Sequence, residues 1–71
     1  MTKNEKELIN LIKEVMKRKK IKECDPKEMY TVTKRSNKDF MAEFIIGNRC
    51  YTSYGKEKKE VIKNLIKEIR G

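Results

Sequence analysis

The sequence predicts an α+β domain in which a helix, a three-stranded antiparallel meander and a second helix follow in that order. Three observations predict it. Apolar residues recur with helical period at both ends, over residues 4–20 and 56–69. Between them lie three short runs, about 29–35, 39–46 and 49–54, whose apolar and polar residues alternate. The turns joining those runs then impose two registers, and both place the same residues on one face.

In the first helix Leu8, Leu11, Ile12 and Val15 share a face, flanked by Ile9 and Met16. Asn10, Lys13, Glu14 and Lys17 take the opposite face. Thr2 or Asn4 can cap its start, with Glu5 and Glu7 beside the positive pole of the helix dipole. The run Lys17-Arg18-Lys19-Lys20 sits at the other pole, where cations stabilise. Pro26 pushes Asp25 away from helical angles, so residues 21–29 form the connection to the sheet.

Gly47-Asn48 reads as a two-residue hairpin that sets Ile46 opposite Arg49, Phe44 opposite Tyr51 and Ala42 opposite Ser53. A three-residue connection, Ser36-Asn37-Lys38, sets Val32 opposite Ala42 and Tyr30 opposite Phe44. Both registers place Tyr30, Val32, Phe40, Ala42, Phe44, Ile46 and Tyr51 on the face to be buried. The second helix supplies Val61, Ile62, Leu65, Ile66 and Ile69 against it. The other sheet face carries Met41, Ile45, Cys50 and Tyr54, an apolar group shared with Thr31, Thr33, Glu43 and Thr52.

At 71 residues the chain makes a single domain, residues 1–71, with about nineteen Leu, Ile, Val, Phe and Met side chains for one small core. Its net charge is +8, split as +5 over residues 1–22, zero over 23–55 and +3 over 56–71. Two basic ends around a neutral middle point to a polyanion partner. There is no histidine, and Cys24 and Cys50 have no metal-ligand spacing, so neither a metal nor another cofactor is expected. No nucleophile-and-base arrangement and no glycine-rich phosphate loop appears, which argues against an enzyme and a small-molecule substrate. The longest apolar run is Phe44-Ile45-Ile46, far short of a membrane span. Free thiols without a signal peptide point to a reducing, cytoplasmic setting.

The second helix opens against electrostatic expectation. Lys56, Lys58 and Lys59 crowd the end where partial positive charge already resides. Glu57 and Glu60 offset them in part, and on a helical wheel Lys56, Lys59, Lys63 and Lys67 form one basic stripe.

Element order and residues together resemble the double-stranded RNA-binding domain over roughly Asn4 to Ile69. In that family the second helix follows a glycine-containing turn and opens with a Ser-Lys-Lys-x-Ala-Lys run. Ser53-Tyr54-Gly55-Lys56-Glu57-Lys58-Lys59-Glu60-Val61 lies over that segment, and Lys58 and Lys59 match its lysine pair. Leu11-Ile12-Lys13-Glu14 matches the family's apolar pair, polar residue and glutamate in the first helix; Tyr30 and Phe40 also agree. The family's loop between the first two strands usually carries Gly-Pro-x-His, where this chain has the short Ser36-Asn37-Lys38. Ile62 replaces the third lysine of the family's run, and Val61, Leu65 and Ile66 replace its small alanines.

The resemblance implies a non-enzymatic module that recognises A-form shape and phosphates. It implies phosphate contacts from Lys56, Lys58, Lys59 and Lys63. It implies RNA contacts from Asn10, Lys13, Glu14 and Lys17 on the polar face of the first helix, with Glu14 reaching the minor groove and accepting from a ribose 2′-hydroxyl, and a lesser contact from Asn37 or Lys38. The second reading is a protein-interaction or homodimerisation module on the same fold, using Met41, Ile45, Cys50 and Tyr54. Neither helix has an aromatic anchor on its apolar face, which argues against a membrane partner.

Overall fold

A computed structural model describes residues 2–35 and 38–71. Helix α1 spans Lys3–Arg18, strands β1, β2 and β3 span Tyr30–Arg35, Asp39–Ile46 and Arg49–Gly55, and helix α2 spans Lys58–Arg70. The sheet is antiparallel in the order β1-β2-β3, which is the α-β-β-β-α arrangement that the sequence predicts.

Thr2 caps α1. Its hydroxyl oxygen accepts from the Glu5 N–H at 3.2 Å and donates to the Glu5 carboxylate at 3.3 Å. Asn4 lies inside the helix instead. The helix stops two residues short of the expected end. Lys20 adopts φ +58, its N–H donates to the Lys17 carbonyl at 3.2 Å, and the Ile21 N–H donates to the Met16 carbonyl at 2.9 Å. This pair of bonds is a Schellman closure, whose left-handed position is usually glycine. The chain then enters a 3₁₀ turn, Pro26–Glu28, capped by the Asp25 carboxylate accepting from the Lys27 N–H at 3.0 Å. That turn includes Glu28 and sets Met29 just outside β1, one residue later than the alternation suggests.

The strand registers agree with expectation at every pair named above. Gly47 takes φ +57 while Asn48 does not go positive, the signature of a type II′ hairpin turn. Ile46 pairs with Arg49, Phe44 with Tyr51 and Ala42 with Ser53. On the other side Tyr30 pairs with Phe44 and Val32 with Ala42. Ser36 and Asn37 lie outside the described residues; Arg35 pairs with Asp39 on either side of them.

Ala42, Phe44 and Ile46 meet Leu8, Leu11, Ile12 and Met16 from α1 and Val61, Ile62, Leu65 and Ile66 from α2 in one buried cluster. Tyr30, Val32, Phe40 and Tyr51 are only half-buried, and so is Val15. The cause is the layering: α2 lies over β2 and β3, while α1 packs mainly on α2. β1 is an edge strand and receives less cover. Tyr51 still stacks on Phe44, with ring centroids 5.8 Å apart and planes 17° from parallel. Burial, with a smaller contribution from Glu5, holds the Tyr30 phenol above its ordinary pKa, so it stays protonated. Among the described residues no helix is long and apolar enough to cross a membrane, and no His, Cys, Asp or Glu cluster could hold a metal ion.

The closure of α1 generates a stability prediction. A left-handed residue with a Cβ costs roughly 1 kcal/mol against glycine. Lys20→Gly should raise the melting temperature by about 4–8 °C, the shift that roughly 1 kcal/mol makes in a domain of this size. Lys20→Ala keeps the Cβ and should gain nothing. Equal melting of the two variants by circular dichroism would contradict the left-handed closure.

Candidate nucleic-acid interface

The start of α2 is held against the end of β3 by small residues. A Cβ on Gly55 would stand 2.7 Å from the Val61 nitrogen and 3.0 Å from its Cα. The two backbones therefore approach to a distance that only glycine allows. One residue pair away, the buried Ser53 hydroxyl donates to the Val61 carbonyl at 2.8 Å. The Asn64 amide donates to the Tyr54 carbonyl at 2.8 Å, and the Asn4 amide of α1 donates to the Lys59 carbonyl at 3.4 Å. These contacts fix where the first turn of α2 points.

That turn is bare. Glu57 occupies the capping position, with φ −125 and ψ 155, but its side chain makes no capping hydrogen bond. It reaches the Lys59 ammonium at 3.7 Å instead. The first helical bond runs from the Val61 N–H to the Glu57 carbonyl at 3.0 Å. The N–H groups of Lys58, Lys59 and Glu60 therefore have no partner within the helix. Lys58 and Lys59 occupy its first two positions, while Lys56 lies in the link from β3. This shortens the expected basic stripe, which begins at Lys59 and continues through Lys63 and Lys67.

The register brings further cations to the same end of the sheet. Phe40 pairs with both Gly55 and Lys34, and Arg35 pairs with Asp39. Lys38 precedes Asp39 directly, so Lys34, Arg35 and Lys38 share an end of the molecule with Lys56, Lys58 and Lys59. Asn37 lies outside the described residues. Lys34 and Arg35 escaped the sequence reading, although the register that places them was already legible from the two turns. Arg35 is partly engaged, 3.6 Å from the Asp39 carboxylate and 4.8 Å above the centre of the Tyr54 ring.

The candidate residues of α1 do not all join this end. Asn4 marks the side of α1 that faces the start of α2. At about 100° per residue, Lys13 stands two and a half turns further on and points the opposite way. Asn10 and Lys17 also turn away, by roughly 120–140°, and Glu14 by only about 80°. Lys13 and Asn10 line a groove with Lys6 and Lys27 instead, and Lys17 lines the next one with Lys20 and Lys22. Lys59 and Lys63 line a separate depression with Asn4, Glu57 and Glu60. Glu14 shares a depression with Lys17 and Arg18, on the same stripe of α1 as Glu7, whose carboxylate pairs with Arg70 of α2 at 3.3 Å.

On the outer sheet face Met41 pairs with Tyr54 and Ile45 with Cys50, but the Glu43–Thr52 pair lies between them. Ile45 is 53% exposed and Tyr54 50%. The Cys50 thiol is engaged inside this face, 3.6 Å from the Glu43 carboxylate and 3.8 Å from the Thr52 hydroxyl. The four residues thus form two apolar pairs separated by a polar row.

The contact at Gly55 is testable. Gly55→Ala should destabilise the domain by about 1–3 kcal/mol, because the added methyl must push α2 from β3. Ser53→Ala should cost only about 1 kcal/mol, since it removes one hydrogen bond and leaves the packing distance unchanged. Chemical denaturation ranks the two, and a Gly55→Ala variant as stable as the parent chain would contradict the close approach. Comparison of the chain with protein-family models, with curated proteins and with solved structures finds no match.

Proposed function

We propose that this domain binds double-stranded RNA without catalysis, recognising the phosphates of an A-form helix and not its sequence. The observation that carries the reading is the bare, lysine-rich first turn of α2 at the basic end of the sheet. The α-β-β-β-α order agrees with the family that the sequence resembles. A-form RNA has a major groove too deep and narrow for side chains to read, but its phosphates line the groove and are accessible across it. Unpaired N–H groups, the helix dipole and the lysine ammoniums can all converge on one phosphate. In the free protein each such lysine costs about 0.3–1 kcal/mol against the dipole. A phosphate cancels that repulsion, so binding and the unusual charge placement have one cause.

Lys58 and Lys59 lead this contact, with Lys56, Lys63, Lys34 and Lys38 supporting it along the backbone. Glu14, on the stripe of α1 that Glu7 ties to α2, is the residue suited to accept from a 2′-hydroxyl and so to separate RNA from DNA. The outer sheet face supports the alternative, a protein-contact module, less well, because Glu43 and Thr52 divide its apolar pairs. Cys24 and Cys50 are exposed free thiols, which suits a reducing, cytoplasmic setting.

Lys58→Ala combined with Lys59→Ala should weaken duplex RNA binding at least about tenfold while leaving thermal stability equal or higher. The plot of log K against log salt should slope at roughly −3 for the parent chain and lose about two units of slope in the variant. Unchanged RNA affinity would remove the helix terminus as the contact.

Glu57→Asp tests the same terminus at constant charge. A shorter carboxylate can cap the N–H groups that Glu57 leaves free, so the variant should gain about 0.5–1 kcal/mol. It should also bind RNA several-fold more weakly, because its carboxylate occupies the phosphate position. A more stable variant with full RNA affinity would show that the phosphate sits elsewhere.

A further inference from the structure

The lysines of α1 that turn away from α2 surround a surface of a different kind. Two adjoining grooves run between α1 and the segment that leads to β1, with cavity volumes of about 240 and 290 Å³. Their rims carry Lys6, Lys13, Lys17, Lys20, Lys22 and Lys27. No acidic residue lines either one, although the chain has 11 acids. Their floor is apolar: Ile9 beneath the first groove, and Met16, Ile21 and Pro26 beneath the second. Ile9 is buried, lies outside the central cluster and lines the first groove.

The Schellman closure builds the second groove. Its backbone bond joins Ile21 to Met16, the two floor residues, and its left-handed residue is Lys20 at the rim. A position that favours glycine holds a cation there.

We infer that this groove docks a partner protein through a short acidic amphipathic helix. Charge complementarity sets the sign of the partner, and the floor sets its apolar side. Ile9 and Met16 are seven residues apart on α1, so the two apolar depressions lie about 10 Å apart along its axis. Apolar anchors at i and i+7 of a docked helix have that spacing. Nucleic acid suits the surface less well. The rim ammoniums can donate to phosphates, but a floor of Met16, Ile21 and Pro26 adds nothing to such contacts, and no aromatic ring lines it to offer a base a stacking surface.

The test uses the full chain and a fluorescent acidic peptide of about four helical turns, with leucines at i and i+7 and glutamates around them. Fluorescence anisotropy should show saturable binding. A scrambled peptide of the same composition should bind at least fivefold more weakly. Lys17→Glu combined with Lys20→Glu should weaken the ordered peptide at least tenfold, whereas Lys58→Ala combined with Lys59→Ala should change it less than twofold. Lys20→Gly removes one rim charge while relieving the backbone, so it should bind about two- to fivefold more weakly with the fold intact. Equal binding of ordered and scrambled peptides would overturn the proposal, since the attraction would then be general charge. An equal loss in the Lys58/Lys59 variant would overturn it as well. So would displacement of the peptide by duplex RNA together with loss of RNA binding in the Lys17/Lys20 variant, because the groove would then belong to the RNA face.

Discussion

The close packing of β3 on the first turn of α2 is the constraint on which the other features depend. Gly55 lets the two backbones approach to a distance that a Cβ would block, and the Ser53 hydroxyl ties down the Val61 carbonyl from beneath. With Val61 set there, Ile62, Leu65 and Ile66 fall over Ala42 and Phe44, and α1 closes the cluster from the other side of α2. A domain this small has too little core to spare any part of that cluster. The same constraint has an electrostatic consequence. With only Lys56 and Glu57 between β3 and α2, the helix must begin at the sheet end where Lys34, Arg35 and Lys38 already lie.

Much of this was legible because turns and faces test each other. Gly47-Asn48 fixes one register, a three-residue connection fixes the other, and a slip of one residue would have exposed Phe44 and buried Glu43. Less legible were features that depend on backbone placement in three dimensions. Periodicity carries α1 on to Lys20, because lysine is a good helix former and nothing local marks the left-handed closure. Lys56 sits on the basic stripe of a helical wheel, yet the helix begins two residues later. Gly55 gave no sign of its role, since glycine before a helix usually reads as turn chemistry, not as space for a neighbouring backbone. The division of α1 into an edge near α2 and a face turned from it required knowing that Asn4 meets Lys59.

The net charge of +8 is therefore arranged as two basic surfaces and not as one. One surrounds the start of α2 and the β1–β2 end of the sheet. The other runs along the far side of α1 past the 3₁₀ turn. Glu7 and Glu14, about two turns apart on one edge of α1, lie between them. Beyond roughly a Debye length of about 8 Å at physiological salt, two such surfaces act nearly independently on their partners. A single composition value hides this.

Apart from the lysines that open α2, Lys20 and Glu57 each depart from a more stable choice, and each lies on a different one of these surfaces. The other helix ends follow the rules. Thr2 caps α1, Gly71 closes α2 at φ +80 with bonds to the Lys67 and Glu68 carbonyls, and Lys67 and Arg70 sit at the pole that favours cations. Against that background Lys20 holds a left-handed angle that glycine would hold at lower energy, and Glu57 leaves uncapped a terminus beset by lysines. Neither departure improves the core. Lys20 is itself a cation at the rim of an apolar floor, and Glu57 leaves bare the N–H groups that Lys58 and Lys59 flank. A less stable residue that improves no packing is the pattern expected where stability is traded for recognition, which is the reading proposed for both surfaces.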